Sequence, residues 1–126
     1  MNIYAAGIAF ALLAGGPALA QGLRILPVEQ PTSNPWWLCD GKPPPRYYPP
    51  VAMRLRVEGS ALAQCRLDEK HRPTACTWQE EDKPGFVFGA TAAKLACIMK
   101  LKAPPDTPAP PGTVALIPIR FKLPPN

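Results

Sequence analysis

Four cysteines, a lone histidine and one acidic run are the side chains of this 126-residue sequence that could do more than pack. Cys39, Cys65, Cys76 and Cys97 could hold a soft metal or close two disulfides. The sequence has no Cys-x-x-Cys and its single histidine is His71, which weighs against zinc. Ser60 lies in no Gly-x-Ser-x-Gly, and His71 sits in the charged segment Asp68–Pro73, so a serine triad has no support. Glu80, Glu81 and Asp82 precede Pro84-Gly85 and read as a polar connection rather than as paired catalytic carboxylates. Trp36 and Trp37 could stack on a sugar or a peptide, but an adjacent aromatic pair beside a cysteine reads first as cover for the domain's own core. These residues nominate no catalytic side chain, no cofactor and no metal site.

The cysteines read differently once the N-terminus is considered. Ile3 to Ala14 is almost wholly apolar, Gly15, Gly16 and Pro17 break the run, and Ala18-Leu19-Ala20 presents small residues where a signal peptidase reads. Residues 1–20 are therefore expected to be a signal peptide cut after Ala20. The alternative is a retained inner-membrane anchor, although the apolar stretch is shorter than the ~20 residues a bilayer span needs. In an exported chain an even number of cysteines favours disulfides. The formal charge of +5 comes from scattered Lys and Arg, and it reads as a solvated surface or weak attraction to acidic partners, with no nucleic acid implied.

The elements that must carry these cysteines follow from local pattern. Proline, at 19 residues, crowds residues 21–45 and the stretch from Pro104 to Pro111, which favours extended chain. Residues 21–45 thus form a linker or wrapping arm ahead of a domain at 46–124. Ser60–Leu67 and Thr74–Gln79 read as strands flanking the loop Asp68–Pro73, and pairing Asp68 with Pro73 sets Cys65 opposite Cys76, close enough for a bridge. Elimination then joins Cys39 to Cys97 and ties the arm to the second helix. That helix carries Phe88, Ala92, Leu95 and Met99 as one core stripe, with Lys100 and Lys102 at its end. A shorter helix begins at Pro49-Pro50, points Val51 and Leu55 inward and stops at Gly59 in a left-handed cap. Thr113–Leu123 alternates cleanly, and Pro118 within it predicts an edge strand.

The order Tyr48-Pro49, a basic helix to Glu58-Gly59, two strands, Gly85-Phe86 before an Ala-rich helix, Pro104-Pro105, and Val114-x-x-x-Pro118-Ile119-x-Phe121-x-Leu123 resembles the TonB C-terminal domain over residues 46–124. The resemblance implies an α+β fold, α-β-β-α-β, with a three-stranded antiparallel sheet and its main helix on one face. It further implies a non-catalytic periplasmic domain, without cofactor, that binds a protein or peptide partner such as a segment of an outer-membrane transporter. Binding in that family is by strand addition to the last strand. Carried onto this sequence, the contacts would be Tyr47, Tyr48, Pro49, Val114, Leu116, Pro118, Arg120 and Lys122. Three departures stand against a force-transmitting role. The anchor is expected to be cleaved, Arg46-Tyr47 stands where a glutamine often precedes the Tyr-Pro pair, and Pro118 removes one edge amide. The alternative is a disulfide-stabilised exported accessory protein that has lost strand addition.

Overall fold

Ala61, Ala63, Cys65 and Leu67 alternate along one strand, and the face they share is buried. The computed structural model, which describes residues 22–102 and 107–125, places that strand at the centre of an antiparallel sheet. The elements are β1 (Arg24–Leu26), β2 (Trp37–Leu38), α1 (Pro50–Arg54), β3 (Gly59–Leu67), β4 (Pro73–Glu81), α2 (Phe88–Ala96) and β5 (Val114–Phe121). From α1 onward the order is the expected α-β-β-α-β. The sheet itself has five strands, in the order β1-β5-β3-β4-β2, where three were expected. Both additional strands come from the proline-rich arm.

The core is built from small residues, and this sets how closely the second helix approaches the sheet. Gly89, Ala92, Ala93 and Ala96 form the buried side of α2 and pack on the Ala61/Ala63/Cys65 face. A Cβ built at Gly89 would lie 2.3 Å from the Trp78 indole, and one at Gly59 would lie 2.4 Å from the Phe88 ring. Phe88, fully buried, fills the centre against Tyr48 and Phe121. Glu81 at the end of β4 accepts the Gly89 N–H at 3.0 Å, which satisfies a free amide at the N-terminus of α2 and sets an acid at the positive end of its dipole.

The structure corrects four expectations of detail. The cap of α1 is not Gly59 but Arg56, which takes the left-handed conformation at φ 53°. The Val57 N–H reaches Ala52 O at 2.8 Å and the Arg56 N–H reaches Met53 O at 3.1 Å, the two bonds of a Schellman closure. Gly59 is needed for the close approach of Phe88 instead. Val51 and Leu55 do not face inward: α1 buries Ala52, and Val51, Met53 and Leu55 are 44%, 50% and 63% exposed. The helix α2 ends at Ala96, so Met99 lies beyond it and is exposed, and Lys94 is the cation of its last turn. Finally, the last strand is not an edge along its whole length, since β1 pairs with its first residues. The expected signal peptide and the Pro104-Pro105 pair lie outside the described residues. Among the described residues, no helix is long and apolar enough to cross a membrane.

Candidate functional site

The surface to which the sequence points is the outer side of β5 together with the segment before α1. β3 covers the inner side of β5 from Arg66↔Val114 to Gly59↔Phe121. On the outer side, Arg24, Ile25 and Leu26 of β1 lie opposite Leu116, Ala115 and Val114. The arm thus adds its own strand to the edge where a partner was expected. Beyond Leu116, the outer side of β5 from Ile117 to Phe121 has no strand partner among the described residues.

After β1 the arm crosses the face of the sheet opposite α2. Its anchor is Gln64 of β3, fully buried, whose amide group makes a two-bond clasp with one residue of the arm. The Gln30 N–H donates to Gln64 Oε1 at 2.6 Å, and Gln64 Nε2 donates to Gln30 O at 3.0 Å. Beside it, Arg66 stacks on Trp36, 3.9 Å from the ring centre, and pairs with Glu29 at 2.6 Å. The hydrogen bond to Glu29 raises the guanidinium's pKa further, so it stays charged. On β4, the Thr77 hydroxyl donates to Asn34 O at 3.1 Å. Thr32 Oγ1 and Asn34 Nδ2 donate to the Trp78 carbonyl at 3.0 and 2.9 Å. The arm then pairs Trp37 and Leu38 with Cys76 and Ala75 on the far edge. One segment therefore closes part of one edge, the second face and part of the other edge.

Both disulfides are present with the expected connectivity. Cys65 and Cys76 face each other across β3 and β4 with Cα atoms 4.1 Å apart, and Cys39–Cys97 ties the end of β2 to the end of α2. Trp37 packs against Trp78, with ring centres 5.6 Å apart, as cover for the core. His71 lies in the hairpin loop with a left-handed backbone, and its neighbour Asp68 accepts the amides of Lys70 and Arg72, each at 2.9 Å.

The structure divides the expected partner-contact residues into groups. Val114 and Leu116 are buried beneath β1 and the sheet, unavailable to a second strand while the arm is in place. Pro118, half-buried, falls where the β1 pairing has ended, and Arg120 and Lys122 are exposed. Pro49 is buried, and Tyr48 is a structural tie: its hydroxyl donates to Val57 O at 2.7 Å, with Phe121 O a second acceptor at 3.4 Å. Burial, followed by the nearby Glu58 carboxylate, raises the Tyr48 pKa and keeps the hydroxyl a donor. Tyr47 remains exposed, as do Val51, Met53 and Leu55 of α1, of which the sequence pattern had placed Val51 and Leu55 inside. Gln64 was also missed, because an outward polar residue on an alternating strand carries no sign that a distant segment will cover it.

The architecture defines a class: a small α+β domain whose antiparallel sheet is partly closed at both edges by its own proline-rich arm and stapled by two disulfides. No protein-family model, no curated protein and no solved structure matches the chain.

Proposed function

We propose that this chain is a non-catalytic, TonB-like periplasmic domain that binds an extended segment of a protein partner by strand addition, in outer-membrane transport. The observation that carries this reading is the outer side of β5 from Ile117 to Phe121, without a strand partner among the described residues in a sheet whose two edges the arm covers only in part. Main-chain groups along such a border can pair with an incoming strand, and neighbouring side chains then supply selectivity. Arg120 and Lys122 suit a partner segment with acidic residues, and Tyr47 with the exposed face of α1 suits apolar ones. The partner in this reading is a short segment of an outer-membrane transporter. Nucleic acid has no part in it, and a membrane enters only where the leader is kept as an anchor.

A second reading is favoured by β1. Its occupation of Val114–Leu116 leaves a short border interrupted by Pro118, as in an exported accessory protein that kept the fold and gave up strand addition. Titration of the oxidised, isotope-labelled protein with peptides from transporter N-termini separates the two. Amide shift changes from Ile117 to Leu123 support strand addition, and absence of binding at millimolar peptide supports the accessory role.

A further inference from the structure

The two disulfides touch. Cys39 Sγ lies 3.7 Å from Cys76 Sγ, and the sulfurs of Cys39, Cys76 and Cys97 all fall within 4.8 Å of one another. Backbone pairing holds them there: Trp37 sits opposite Cys76, and the Cys39 N–H donates to Thr74 O at 2.9 Å. Their access to solvent differs. Cys65 and Cys76 are fully buried, whereas Cys39 and Cys97 are half-buried and border a cavity of about 500 Å³. Lys70, His71, Arg72 and Lys100 also line it, with no acidic side chain among the described lining residues. Arg72 is engaged by Asp68 at 2.9 Å, and the ammonium groups of Lys70 and Lys100 favour the thiolate form of a sulfur released beside them.

We propose that the four cysteines form a relay for thiol–disulfide exchange with an external protein dithiol, and that the chain reduced by two electrons carries a Cys39–Cys76 bridge. A thiolate of the dithiol attacks Cys97 Sγ. The Cys39–Cys97 bond breaks, an intermolecular disulfide to Cys97 forms, and Cys39 leaves as a thiolate. The Cys39 thiolate attacks Cys76 Sγ, the Cys65–Cys76 bond breaks, and Cys65 leaves and takes up a proton. The second thiol of the dithiol, as its thiolate, then attacks the dithiol's own sulfur in the intermolecular bridge, closing its disulfide and releasing Cys97, which is protonated in turn. The dithiol loses two electrons and two protons, and the chain gains thiols at Cys65 and Cys97.

Two features favour this end state over one that keeps Cys65–Cys76. Proximity makes the second attack intramolecular, at a high effective concentration. A protonated Cys65 among Ala61, Ala63 and Ala115 behaves as a small apolar residue, well suited to full burial. The outcome frees the end of α2 but keeps the arm cross-linked to β4. The relay does not depend on the strand-addition reading.

The test is limited reduction of the oxidised full chain with one equivalent of dithiothreitol, followed by acid quenching, alkylation with N-ethylmaleimide in denaturant so that the buried Cys65 is reached, and peptide mapping by mass spectrometry. The expected product in the two-electron fraction joins Cys39 to Cys76, with label on Cys65 and Cys97 severalfold above that on Cys39 and Cys76. Label mainly on Cys39 and Cys97 with Cys65–Cys76 intact overturns the proposal. So does retention of Cys39–Cys97, or recovery of fully oxidised and fully reduced chains alone. The variant Cys97→Ser supplies a second readout: its single free thiol should map to Cys65, and a thiol that stays on Cys39 overturns the relay. If that variant does not fold, the limited reduction of the native chain decides alone.

Discussion

Replacing Gln64 with leucine should release the N-terminal half of the arm while leaving the sheet packed. The side chain is fully buried and makes two hydrogen bonds, at 2.6 and 3.0 Å, to the amide and carbonyl of Gln30. Each is worth about 0.5–1.5 kcal/mol net, so the clasp contributes about 1–3 kcal/mol. Leucine leaves the Gln30 N–H without its partner and the Gln30 carbonyl with only the long 3.4 Å bond from Gln79 Nε2, and an unsatisfied buried donor costs about 1–3 kcal/mol, more than lifting the arm into water. What then holds residues 22–30 is the long bond from Gln79 to Gln30 O, the exposed Glu29–Arg66 pair, worth at most about 1 kcal/mol, and the short β1 pairing. Beyond it, Thr32, Asn34 and the Cys39–Cys97 bridge keep the far half in place. Urea unfolding should show a loss of about 1–2 kcal/mol, and hydrogen exchange should speed up at the amides of residues 24–30 but not at those of β3 or β4. Because β1 would lift with the arm, Val114–Leu116 would join the open border, and any strand-adding peptide should bind more tightly. Unchanged exchange at Gln30 would refute the clasp, and acceleration spread evenly over β3 and β4 would refute the separation of arm from core.

Three further outcomes follow from close contacts. Gly59→Ala drives a methyl into the buried Phe88 ring and should cost about 1–3 kcal/mol in urea unfolding, with aromatic shifts of Phe88 moving most. Tyr48→Phe keeps the edge-on packing with Phe88 and Phe121 and removes the bond to Val57 O, so a loss of about 1 kcal/mol should appear in thermal melts. Asp68 accepts backbone bonds from Arg72 and Lys70 and pairs with the Arg72 guanidinium, which together hold its carboxyl below the usual range. A depressed folded-state pKa contributes stability that is full above about pH 4 and disappears as pH falls through the folded value. Asp68→Asn should therefore flatten the acid limb of the stability–pH curve and leave its slope above neutrality unchanged.

How much of this was legible in the sequence depends on whether the determining contact was local. The Cys65–Cys76 bridge followed from counting residues across one hairpin, even though the observed loop sets Leu67 rather than Asp68 opposite Pro73 and a bulge after Arg66 restores the register. The Cys39–Cys97 bridge followed by elimination. β1 and β2 left no such trace: they are three and two residues long, punctuated by Pro27, Pro31 and Pro35, and exist as strands because β5 and β4 offer them unpaired edges. The inward assignment of Val51 and Leu55 failed because α1 spans five residues and the core reaches it through Ala52 alone, with Phe88 and Tyr48 filling the space large side chains would need. The strand β5 of the candidate site was legible in the sequence, but its half closure by the chain's own arm was not.

That half-closure limits what a partner can gain from main-chain pairing. Ile117–Phe121 offers a short outer border, and Pro118 subtracts a donor, so side-chain contacts must carry much of the affinity of any strand that docks there. The apolar surface of α1 is placed to supply them. Tyr48 ties the turn after α1 to the end of β5, Arg56 donates to Pro124 O at 2.9 Å, and Glu58 accepts the Leu123 N–H at 2.7 Å, so α1 and the open end of β5 share one corner of the molecule. Val51 and Leu55, four residues apart on one side of α1, are 44% and 63% exposed, so Val51→Gln with Leu55→Gln should alter stability by no more than about 0.5 kcal/mol per site. If a bound segment buries both, each contributes about 1 kcal/mol, and the double variant should weaken peptide binding about tenfold or more in a calorimetric titration. A double variant that binds as the parent does would detach α1 from the site and leave the border of β5 to account for recognition alone.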